Sequence, residues 1–144
     1  MRLVAVVLLL GLPLGLRAEQ LKEAAAVALL SGRKPLWLPP ETNTAPRARA
    51  RIHFWVGRNG EVEAVEQVCG ERELFDAIVD AVLEWRFRQG GFTTDLSFVR
   101  RGRRVWLLLE LPASQRPRKD ICAEESGHHS SSWRRASPLA GSSP

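Results

Sequence analysis

The sequence predicts a small α+β domain in which a β-hairpin and a later strand form a three-stranded antiparallel sheet, with one helix packed on a face. Three observations predict it. Apolar residues alternate at Ala50, Ile52, Phe54 and Val56, a Gly57-Arg58-Asn59-Gly60 turn follows, and an i, i+3, i+4, i+7 apolar stripe runs from Leu74 to Trp85. A short N-terminal helix and a disordered C-terminal tail complete the expectation. The chain has 144 residues, 44% of them hydrophobic, which is material for one such domain plus extensions.

Taken in order, Met1-Arg2, the apolar run Leu3 to Leu16 and Arg17-Ala18-Glu19 have the three parts of a secretory signal, with cleavage expected after Ala18. The run is about 14 residues long where a membrane-crossing helix needs about 20. A periplasmic or secreted protein is therefore expected, with retention of the run as an inner-membrane anchor the alternative. Loss of Arg2 and Arg17 lowers the net charge from +5 to about +3, which weakens any argument for a polyanion partner. Export also bears on the two cysteines. In an oxidising compartment an even count favours pairing, so Cys69 and Cys122 are expected to form a disulfide, the alternative being two separate thiols.

Residues 19–47 read as a short helix and a connector. Leu21 to Leu30 is alanine-rich and Ser31-Gly32 should end it, after which Pro35, Pro39, Pro40 and Pro46 keep the chain extended. Trp37 is expected to pack this connector onto the domain. The domain itself is placed at residues 48–113. Its second strand, Glu61 to Val68, carries Val62, Val65 and Val68 at a spacing of three, which a bulge would reconcile with a sheet. The helix is expected over Glu71 to Phe87, ending near Gln89 before Gly90-Gly91, with Asp76, Asp80, Glu84 and Arg86 on its wet face. Phe92 to Val99 has moderate strand character. Val105, Leu107, Leu109 and Leu111 alternate with Trp106, Leu108 and Glu110, so Arg103 to Leu111 is expected as the last strand. Residues 114–144 are rich in Ser, Pro and Arg and are expected to be disordered, except where Cys122 tethers them.

A hairpin with a glycine turn, then a helix with Phe75-Asp76-Ala77 near its start and Trp85-Arg86-Phe87 at its end, resembles the C-terminal domain of TonB-type energy transducers. The resemblance covers about residues 49–111. It implies a three-stranded sheet with a helix across it, and a last strand whose edge can accept a short segment of an outer-membrane receptor. On that basis Val105, Trp106, Leu107, Leu108 and Leu109 are the expected partner-binding residues, since an edge strand carries backbone groups ready to pair with an extended peptide. The chain departs from the family in lacking the Tyr-Pro pair before the hairpin and a long Pro, Lys and Glu-rich spacer. The expected function is therefore that of an exported, non-enzymatic module binding an envelope or outer-membrane protein. A membrane-anchored transducer subunit is the alternative, and an edge-paired homodimer is open.

Catalytic and metal chemistry finds little support. His53 lies mid-strand opposite Ile52 and Phe54, which suits a surface or packing role. His128-His129 beside Glu124 and Glu125 can capture a metal ion adventitiously, but a structural site wants about four fixed ligands. Asp76, Asp80 and Glu84 are a solvated helix ridge. Glu61, Glu63 and Glu66 are expected to pair with Arg49 and Arg51 across the hairpin. No phosphate loop or nucleophile elbow is present, so neither a cofactor nor a catalytic residue is expected. The Arg100, Arg101, Arg103 and Arg104 cluster reads as a polar turn rather than a nucleic-acid patch.

Overall fold

The computed structural model describes residues 14–116, 122 and 133–136. Helix α1 (Leu14–Leu29) leads through β1 (Leu36–Trp37) to the hairpin of β2 (Arg49–Val56) and β3 (Val62–Gly70). Helix α2 (Arg72–Leu83) follows, then β4 (Phe92–Arg101), β5 (Arg104–Leu107), two short 3-10 turns and β6 (Trp133–Arg135). One antiparallel sheet of six strands results, in the order β1-β5-β4-β2-β3-β6.

The α+β class stands, but the three-stranded sheet is too small. Phe92 to Val99 belongs to a central strand, paired with β2 along its whole length from Arg49–Val99 to Val56–Phe92. The reason is burial on both faces: Leu96, Ser97, Phe98 and Val99 are all buried, so no clean alternation marks the strand in sequence. The strand that follows α2 in the sheet is thus β4. The expected last strand shrinks to Arg104–Leu107, because the Glu110 carboxylate accepts the Leu107 amide at 3.2 Å and folds the chain into a turn.

Alternation on β2 sends Ala50, Ile52, Phe54 and Val56 into the core. The hairpin register slips twice, opposite Glu63 and opposite Val68. Each slip adds one residue to β3, so Val62 and Val65 both reach the core despite their spacing, while Val68 is left 42% exposed. Onto this face α2 buries Leu74, Phe75, Ile78, Val79 and Val82, each worth about 1.5–3 kcal/mol of transfer free energy.

The helix stops at Leu83, well before Gln89. Trp85, Arg86 and Phe87 are extended: Arg86 bridges to Glu61, Phe87 to Leu30, and the Phe87 amide donates to the Gly60 carbonyl at 2.8 Å. Trp85 and Phe87 are buried and Arg86 is exposed, a period of two that a helix cannot satisfy. Trp85 stacks on Phe54 with centroids 5.8 Å apart and ring planes 7° from parallel, and lies against Phe98. Gly60 has φ +82°, and a Cβ there would stand 2.1 Å from the Phe87 carbonyl oxygen, so only glycine lets this segment dock on the hairpin turn.

Two expectations about the flanks also change. Trp37 is 63% exposed, and its neighbours Leu36 and Leu38 carry the packing instead. The tail expected to be disordered contributes β6, and Cys122 is bonded to Cys69 as expected, with Cα atoms 5.5 Å apart. The rest of residues 114–144, His128 and His129 included, lies outside the described residues apart from 114–116 and 136. So does most of the expected signal, 1–13. No helix among the described residues is long and apolar enough to cross a membrane.

Candidate partner-binding edge

The expected partner-binding residues do not form an open edge. Val105 and Leu107 are buried in the core, and Leu108 and Leu109 sit half-buried in the turn that ends β5. Trp106 is covered by the Arg104 guanidinium, 3.5 Å from its ring centroid. On one flank β5 pairs with β4; on the other, Leu36 pairs with Val105, Trp37 with Arg104, and the Leu38 amide donates to the Arg103 carbonyl at 2.7 Å. Arg33 completes this closure. It pairs with Glu110, lies 5.7 Å from the Trp85 centroid, and its pKa is lowered by burial and then by the charge of Arg104.

The other flank of the sheet is different. Nine-residue β3 meets β6 over only three pairs, Ala64–Arg135, Val65–Arg134 and Glu66–Trp133, with one further bond from the Ala136 amide to the Glu63 carbonyl at 2.8 Å. Beyond Glu66 no second described strand lies beside β3. The exposed Val68 stands there, pushed outward by the bulge, next to the disulfide at Cys69. This is the sheet's one long flank with partial cover among the described residues. The signal for it in sequence is slight: Trp133 is a lone large apolar residue in a Ser and Arg-rich stretch.

The remaining motif residues are structural. Phe75 is fully buried, Ala77 half-buried and Asp76 exposed, 3.7 Å from Arg72 one helical turn earlier. His53 meets the Asp95 carboxylate through Nδ1 and the Trp55 ring edge-on at 4.6 Å. Arg51 does not pair across the hairpin as expected. It reaches Glu23 at 3.3 Å, Glu19 at 3.5 Å and Asp95 at 3.7 Å, while Ser97 donates to Glu23 at 3.4 Å. Burial raises the Glu23 carboxyl above its ordinary 4.5, with Arg51 and Ser97 pulling the other way. This cluster fastens α1 to β2 and β4 and lines a small surface pocket of about 160 Å³, in which Arg51 is held between the three carboxylates.

Comparison of the chain with protein families, with curated proteins and with solved structures gave no match.

Proposed function

We propose that this chain is a non-enzymatic, exported module of the TonB C-terminal type that binds an envelope protein by accepting an extended segment on the outer edge of β3. The observation that carries the reading is the short pairing of β6 with β3, in which the edge already takes a strand from a distant part of the chain. Backbone donors and acceptors along such an edge supply affinity with little demand on sequence, and side chains beside it supply selectivity. Support for the family type comes from the unit β2, β3, α2, β4, in which the strand after the helix returns beside β2. Because β1 already pairs with β5, the reading puts the accepting edge on β3 rather than at Val105 to Leu109.

Photo-crosslinking in the native envelope tests this. A crosslinker at Val68 of the full chain should give a partner adduct, and one at the exposed Asp80 of α2 should give none. Adducts from Asp80 alone, equally from both positions, or from neither would overturn the reading.

A further inference from the structure

A groove of about 690 Å³ lies at the end of the sheet away from the hairpin turn, and five arginines line it: Arg47, Arg49, Arg100, Arg101 and Arg116. They come from the connector, β2, β4 and the segment after β5, so the fold gathers cations that are scattered in sequence. Among the described residues no Asp, Glu or Lys lines the groove. From this convergence we propose that the groove is a binding site for a ligand bearing two or more phosphate groups.

Several of these guanidinium groups are held in place by neutral partners. Arg100 donates to the Thr44 carbonyl at 2.6 Å, to the Thr44 hydroxyl and to the Gly102 carbonyl at 2.8 Å. Arg101 donates to the Gln115 carbonyl at 2.9 Å, and Arg116 to the carbonyls of Leu111 at 2.9 Å and Leu109 at 3.1 Å. A carbonyl fixes direction but carries no net charge. Arg100, Arg101 and Arg116 are therefore oriented by groups that leave their mutual repulsion in place, and each of these three planar forks has more donors than those bonds use. A multivalent oxyanion relieves that repulsion and uses those donors in pairs. Phosphate suits the site better than carboxylate, because a phosphomonoester brings nearly two charges and three acceptor oxygens into the same volume. Arginine without lysine is the composition that such bidentate recognition favours. The groove stands on its own and owes nothing to strand pairing on β3.

Titration calorimetry of the full chain with tripolyphosphate tests the site, and vesicles of phosphatidylglycerol against phosphatidylcholine decide between a free phosphate and a lipid headgroup as its source. The double variant Arg47→Glu, Arg101→Glu should weaken binding of the responding probe at least about tenfold. The charge-matched control Arg58→Glu, Arg88→Glu, at the exposed turn end of the sheet, should weaken it less than about twofold. Arg47→Gln, which touches none of the carbonyl anchors, serves if the double variant loses its native circular dichroism, and should still weaken binding about threefold. Equal losses in both double variants, equal affinity for a glutamate-rich peptide, or no binding of either phosphate source would overturn the assignment.

Discussion

At one outer edge of the sheet β1 is carried onto β5 by Leu36 and Leu38, both buried, and locked by Arg33 between Glu110 and Trp85; at the other, β6 lies on β3 with Arg134 and Arg135 exposed and a disulfide upstream. The first edge is closed by side chains that belong to the core. The second is closed by backbone pairing over three residues and by a covalent tether, which holds a segment near its site without fastening it there. The same architectural problem, an exposed row of backbone groups, thus has one solution built on core side chains and one built on a short pairing beside a disulfide.

The largest effect should come from the tether. Replacing Cys69 and Cys122 by serine opens a loop with a sequence separation of 53, worth about 4 kcal/mol of unfolding free energy in the chain-entropy argument. Denaturant titration measures the loss, and hydrogen exchange should show Ala64 to Glu66 opening far more than Val105. Equal opening of both edges would erase the distinction drawn above. Next, Leu38→Ala should cost about 3 kcal/mol by denaturant titration, since it empties a fully buried site, whereas Trp37→Ala beside it should stay within about 0.5 kcal/mol. Arg134→Pro should remove a backbone donor opposite Val65 and cost about 1 kcal/mol or less, with loss of Val65 amide protection as its main readout.

The smallest effect concerns pH. The folded-state pKa of Glu23 lies above its unfolded value, so the protonated acid contributes stability that is fully present below about pH 4.5 and is lost as pH rises through the folded value. Glu23→Gln, neutral throughout, should therefore gain stability relative to the native chain over that rise. Thermal unfolding between pH 4 and 7 reads it, and a parallel pH dependence of the two proteins would reassign the slope to other groups.

How much of this was legible in the sequence follows from burial. One-faced elements were readable: β2 through Ile52, Phe54 and Val56, and α2 through Leu74, Phe75, Ile78, Val79 and Val82, because one wet face leaves a period behind. β4 was underread since both its faces are covered, and Arg103 to Leu111 was overread since its alternation continues past the point where Glu110 turns the chain. The extended run at Trp85 to Phe87 was legible in principle, because Phe87 breaks the helical stripe that Trp85 still fits. Cysteine parity anticipated the disulfide. Nothing in Trp133-Arg134-Arg135 announced a strand, and the arginine groove could not be read either, because its five members are separated by up to 69 positions and meet only where the start of β2, the end of β4 and the segment after β5 come together.

The Cys69–Cys122 bond also decides how the molecule bears tension. A pull on the two ends of the chain runs forward through α1, β1, β2 and β3 to Cys69, crosses directly to Cys122 and leaves through β6. Helix α2, β4 and β5 lie off that path. Force can unravel what surrounds them, but a sequence separation of 53, roughly 180 Å of extended chain, stays reeled in until the sulfur bridge breaks.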